Sequence, residues 1–140
     1  MLIRIIRIGK KKNSSEVDYY LNKIKFIEVI NIKEVKGSNK EFLKHEEGEK
    51  LVNKIHGFSI ALTEEGTQLD SLSFADLIKK TPDISFIIGG AFGLSEEVKR
   101  KADYLLSLSK MTLPHELAYL LLVEQIYRAE RILEGHPYHK

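Results

Sequence analysis

The chain has 140 residues, 43% hydrophobic and 30% charged, with nine Gly and three Pro, so it has the size and composition of one globular domain. Disorder, a collagen repeat and a low-complexity array are excluded. It has no Cys, which removes disulfides, thiolate nucleophiles and Cys-ligated metal centres and fits a reducing, cytoplasmic setting. The net charge is +2, but residues 1–60 hold 13 basic and 8 acidic side chains while residues 61–140 hold 9 and 12. Arg4, Arg7, Lys10, Lys11 and Lys12 form a basic end that could meet a phosphate backbone or simply be a solvated face. No membrane partner is expected. The longest apolar run, residues 117–123, falls short of the roughly 20 residues a spanning helix needs. The N-terminus is broken by Arg4 and Arg7 and does not read as a signal peptide.

The Ile-rich stretch 2–8 reads as a buried strand ended by Gly9. Ser15 opens a helix with Glu16 and Asp18 in its first turn and Val17, Tyr20, Leu21 and Ile24 along its apolar stripe. Residues 26–35 alternate as a second strand, and residues 39–56 return to helical spacing, weakened at Gly48. A third strand over 58–62 leaves through the turn-like Thr63-Glu64-Glu65-Gly66, and a helix over 72–80 closes before Pro82. Residues 84–88 are continuously apolar, as in a strand covered on both faces. Ser95 opens a helix with Glu96 and Glu97, residues 104–108 form a fifth strand, and Pro114 starts a long helix over 115–134, stopped at Gly135.

This alternation gives an α/β domain with a mostly parallel sheet and helices on both faces. The last helix is apolar around most of its circumference between Leu117 and Val123. One side covers the sheet and the rest needs another cover, so a homodimer is expected.

Ligands of such sheets lie beyond the carboxyl ends of the strands. Three segments qualify. Gly89-Gly90-Ala91-Phe92-Gly93 passes from buried strand to helix; its GGxxG spacing matches neither dinucleotide nor P-loop fingerprints and suits a tight turn equally well. The segment Leu108-Ser109-Lys110-Met111-Thr112-Leu113 offers hydroxyls, amides and apolar groups that could cradle a purine and ribose, or serve only as a helix entry. The tail His136-Pro137-Tyr138-His139 follows Arg128; its two His residues have no carboxylate at close spacing, so no metal is expected.

Taken together, IIGGAFGLSEEV, LSLSKMTLPHELA, LLLVEQIYRAERI and the ending GHPYHK resemble the bacterial RlmH (YbeA-like) family of SPOUT methyltransferases, densely over residues 84–140 and more loosely before. The resemblance implies a C-terminal trefoil knot, which composition and periodicity would not suggest. It also implies a homodimer through the last helix and S-adenosyl-L-methionine as cofactor. The expected reaction is methylation of N3 of a pseudouridine in large-subunit rRNA, on the ribosome. By this similarity Leu62, Gly89, Leu108, Ser109, Lys110, Met111, Thr112 and Leu113 match cofactor-contacting positions.

A sulfonium methyl is already activated, so the work is positioning and removal of the imide proton at N3. On that basis His139 is expected as base or proton relay, Tyr138 to stack on or hydrogen-bond the base, and Arg128 to meet a phosphate or carbonyl oxygen, the tail ordering over a pocket that the partner subunit could supply. The chain departs from the family pattern at Tyr119, where Arg is common, and in a shorter N-terminal half. The rival from another class is a non-catalytic dimeric RNA-binding or ribosome-associated factor; the intact GGAFG, SKMTLPH and YHK segments argue against it.

Overall fold

The computed structural model describes residues 2–140. In chain order it contains β1 (Leu2–Ile8), α1 (Ser15–Leu21), β2 (Ile27–Ile32), α2 (Lys40–Val52) and β3 (Phe58–Gln68). These are followed by α3 (Ser71–Lys79), β4 (Asp83–Ile88), α4 (Glu96–Lys101), β5 (Tyr104–Ser107) and α5 (His115–Leu133). The strands form one sheet in the order β2-β1-β4-β3-β5, every neighbouring pair parallel. The expected element order therefore stands, with the sheet wholly parallel.

Alternation along the strands divides the core in two. Ile3 and Ile5 of β1 with Ile84, Phe86 and Ile88 of β4 face α1, α3 and α5, where Phe74, Ile78, Leu122, Val123 and Ile126 meet them. Ile6 and Ile8 with Ile87 face α2 and α4 through Leu51 and Val98. Each helix of the second layer is capped as its sequence indicates, Asn39 accepting from the Phe42 N–H and Ser95 from the Val98 N–H. Gly48, which looked like a flaw in α2, is where that helix presses on α4: a Cβ there would lie 2.9 Å from Ser95 Oγ and from Val98 Cγ2. The cost of Gly in a helix is offset by the close packing it permits.

Three expectations need correcting. The second strand is shorter than residues 26–35, because Phe26 turns to a positive φ of 54° and the Val35 N–H leaves the ladder to bond Glu47. The third strand does not end at Leu62. Leu62 and Thr67 both pair with Leu106, so residues 63–66 are a four-residue excursion within β3 rather than its exit. Gly66 makes this possible: a Cβ there would sit 2.6 Å from the Leu105 backbone. The basic N-terminus is also only partly a surface feature. Arg4 is held by Asp83 at 2.7 Å, and Arg7 points into the α5 layer with its side chain 2% exposed.

Arg7 donates to Glu116 in the first turn of α5, to Asn31 Oδ1 at 2.6 Å and to the Lys10 carbonyl at 3.2 Å, and it lies 4.4 Å over the Tyr119 ring. Removing one partner of a buried pair leaves the other charge uncompensated. Glu116 is about one-third exposed and Arg7 keeps its other partners, so Glu116→Ala is expected to lower stability by about 1–2 kcal/mol, and Arg7→Met, which keeps an apolar stem and removes the charge, by less. Urea unfolding midpoints check the ranking; equal losses would show that the pair is not what anchors α5.

Candidate functional site

A cleft opens where the carboxyl ends of β3, β4 and β5 meet the start of α5. One wall is the beginning of the β3 excursion, Leu62, Thr63 and Glu64. A second is the end of β4 with its glycine turn, Ile88, Gly89, Gly90 and Gly93. The third comes from the loop after β5, with Leu108, Ser109, Met111 and Leu113, and α5 closes the bottom through His115 and Ala118.

The glycine turn is tight because its residues touch across it. The Gly93 N–H donates to the Gly90 carbonyl at 3.1 Å, Gly93 has φ +81°, and a Cβ on Gly89 would lie 2.8 Å from the Gly93 backbone. The loop after β5 is held by its own hydroxyls. Ser107 Oγ donates to the Ser109 carbonyl at 2.9 Å, and Ser109 Oγ accepts from the Met111 N–H at 2.9 Å. The Thr112 hydroxyl reaches across to Glu64 at 3.4 Å. Met111 is left 77% exposed at the rim.

Of the eight residues expected around a cofactor, Leu62, Gly89, Leu108, Ser109, Met111 and Leu113 line this cleft. Lys110 and Thr112 do not line it; they alternate outward along the loop, although Thr112 bridges to the cleft residue Glu64. Thr63, Glu64, Ile88, Gly90, Gly93, His115 and Ala118 also line it and were not among the eight, although Gly90 and Gly93 belong to the glycine segment already named as a candidate. Thr63, Glu64, Ile88 and His115 flank or belong to motifs already noted, so the signal was present; Ala118 is brought in by one turn of α5.

The tail residues converge, but elsewhere. Glu124 Oε2 accepts from Arg128 Nη2 at 2.7 Å and from the Tyr138 hydroxyl at 2.8 Å, and Arg128 stacks 4.7 Å from the Tyr138 ring centroid. Tyr138 meets Tyr127 edge to face at 4.8 Å, and Arg128 Nη1 lies 3.0 Å from His139 Nδ1. Glu124, the carboxylate at the centre, was missed by sequence reasoning, although its i,i+4 spacing to Arg128 was legible. A guanidinium can only donate, so His139 Nδ1 must be the acceptor and the neutral ring carries its proton on Nε2. Arg128, Tyr138 and His139 are not among the residues lining the cleft. Ten residues of α5 separate Ala118 from Arg128, about 15 Å of helix.

Compared with known proteins, residues 1–139 match the family model described as "Predicted SPOUT methyltransferase". A protein of Acholeplasma laidlawii named "Ribosomal RNA large subunit methyltransferase H" is 45% identical over 153 aligned residues that cover all of both chains. A protein of the same name from Streptococcus agalactiae is 40% identical, again over the whole of both. One from Campylobacter hominis is 55% identical across 60% of this chain and 56% of its own. Among solved structures, a probable methylase family protein from Haemophilus influenzae superposes with a TM-score of 0.61 at 14% identity, over 99% of this chain and 70% of that one, which establishes the likeness of fold.

Burial and the bond to Glu124 both push the Tyr138 phenol well above the usual tyrosine range. Ring-carbon NMR across an alkaline titration should therefore find Tyr138 ionising well above an ordinary tyrosine. Glu124→Gln removes the negative charge that opposes the phenolate, so the midpoint should fall. An unchanged midpoint in that variant would show that the carboxylate does not organise the cluster.

Proposed function

The chain belongs to the SPOUT methyltransferase family, among its large-subunit ribosomal RNA methyltransferases, and on that premise we propose that it methylates N3 of a pseudouridine in large-subunit rRNA with S-adenosylmethionine as donor. The observation that carries the reading is the cleft at Gly89 and Met111, two of whose walls are segments in which the family resemblance is densest.

The lining suits the donor. It offers apolar surface from Leu62, Leu108, Met111 and Leu113 for a purine, and close backbone approach at the glycine turn. It carries one carboxylate, Glu64, and no Lys or Arg, which favours a cationic sulfonium over a phosphate-bearing dinucleotide. Bound there, the donor supplies a methyl group already activated for displacement. The chain's share is to hold the target in line and to manage the N3 proton, whose loss places negative charge on the two flanking carbonyls. In the folded-back tail, His139 has Nδ1 taken by Arg128 and a proton on Nε2. In that position it donates a hydrogen bond to a carbonyl oxygen; as a base it must first leave Arg128. Tyr138, kept protonated by burial and by Glu124, is a second donor, and Arg128 a fixed positive charge.

Because cleft and tail stand apart along α5 of one chain, the complete site takes its cleft from one protomer and its tail from the other. The homodimer this needs is supported by α5 leaving Leu117, Leu121 and Leu133 exposed. The C-terminal knot of the family belongs to the same reading, and the β3 excursion pressed on the β5 backbone at Gly66 is consistent with chain passing closely there.

Mass-spectrometric mapping of large-subunit rRNA from cells with and without the protein tests the reaction: one pseudouridine should lose a methyl group in the deletion, and an unchanged map overturns the proposal. A chain lacking residues 138–140 should keep donor affinity by calorimetry and lose transfer. Mixed with an inactive Gly89→Val chain, it should recover about a quarter of wild-type turnover, since half the dimers carry one intact composite site. No recovery would place the tail on the cleft of its own chain.

A further inference from the structure

The glycine turn has two sides. Gly90 and Gly93 line the cleft, whereas Ala91 and Phe92 border a separate groove with Val35, Lys36, Leu43 and Glu47. Phe92 is 50% exposed and belongs to neither core cluster, so the fold gives no reason for an aromatic ring at the tip of this turn. Lys40 Nζ stands 5.8 Å from its ring centroid, and Lys36 lies along the groove. Glu47 is turned inward, bonded by the Val35 N–H, and burial raises its pKa; Glu34 is the other carboxylate of the groove and faces solvent.

An exposed ring flanked by lysines is the composition that binds unpaired nucleotides: bases stack on the ring and phosphates meet the cations. The wall of the groove that faces Phe92, with Val35, Lys36, Leu43 and Glu47, comes from residues 1–60, where basic side chains outnumber acidic ones 13 to 8. It also shares its wall with the cleft, so a strand entering the cleft's mouth passes Phe92. We propose that this groove receives single-stranded RNA beside the target nucleotide, with one base stacked on Phe92 and the backbone held by Lys36 and Lys40. The inference rests on rRNA being the substrate and adds the surface that grips it.

Large ribosomal subunits prepared from cells lacking the protein are the probe, with binding read by cosedimentation and methyl transfer measured in parallel. Phe92→Ala should weaken binding and raise KM about tenfold, the loss of one stacked base. Phe92→Trp should restore both, and neither change should alter donor affinity. Replacing Lys36 and Lys40 with Gln should weaken binding and flatten its salt dependence. Phe92→Ala binding like the wild type while transfer persists overturns this inference and leaves the reaction standing. Phe92-dependent binding without transfer supports the groove and sinks the proposed reaction. A wild-type protein that binds no subunits overturns both. A change in sedimentation of the free Phe92→Ala protein, with subunit binding intact, would assign the ring to contact between copies of the chain instead.

Discussion

A parallel sheet of five strands, Ile-rich in β1, β2 and β4, must be covered on both faces, and α5 shares one face with α1 and α3. Helix α5 is 19 residues, about 28 Å, long. Its buried stripe, Leu122, Val123 and Ile126, fixes it across the sheet. Once it is fixed, its two ends are placed. The first turn closes the cleft at the strand ends through His115 and Ala118, and the second half carries Glu124 and Arg128, on which the tail folds. The separation between the cleft and the tail cluster is thus a consequence of core packing.

The start of α5 is anchored without help from its own cap. Pro114 offers no side-chain hydrogen bond there, and the helix is instead tied down by Glu116 to Arg7 of β1. A buried ion pair is weak evidence for stability, since desolvation can exceed the attraction, but it fixes position strictly. The tie also changes the meaning of Tyr119. Where the resemblance leads one to expect Arg, this chain has an aromatic ring with the guanidinium of Arg7 laid on it from β1. The positive charge sits beside residue 119, and its stem belongs to residue 7. Burial pushes the Tyr119 phenol up, so the ring stays neutral beneath the cation.

Element order, the strand-to-helix glycine turn and the helix caps were legible because each is set by neighbours in sequence. The excursion in β3 was not: Thr63-Glu64-Glu65-Gly66 has turn chemistry, and only the pairing of Thr67 with Leu106 shows that the strand resumes. Gly48 read as a defect because its purpose lies on α4. Arg7 is a different case. Counting charge put it on the surface, while the period of two in Ile3, Ile5 and Arg7 already assigned it to the buried face. Of the eight residues expected around a cofactor six line the cleft; position at the strand ends had already marked the glycine turn and the loop after β5, and the resemblance added Leu62.

The tail shows how a few polar contacts can order a segment that composition leaves free. Residues 136–140 offer the core only Tyr138, which packs half-buried against it, and terminal segments of that kind fray unless tied down. Here Glu124 is satisfied three ways, by Arg128, Tyr138 and Gln125, and Arg128 in turn holds His139. Charge-assisted bonds of this type are stronger than neutral ones and directional. They fix which nitrogen of His139 bears the proton and keep Tyr138 a donor. The same bonds set the cost of moving the tail: any motion that frees His139 Nδ1 breaks its bond to Arg128, while the Glu124–Arg128 pair can stay behind on α5. The helix therefore holds the fixed charge, while the His139 ring and the Tyr138 hydroxyl are tied to it by side-chain bonds alone.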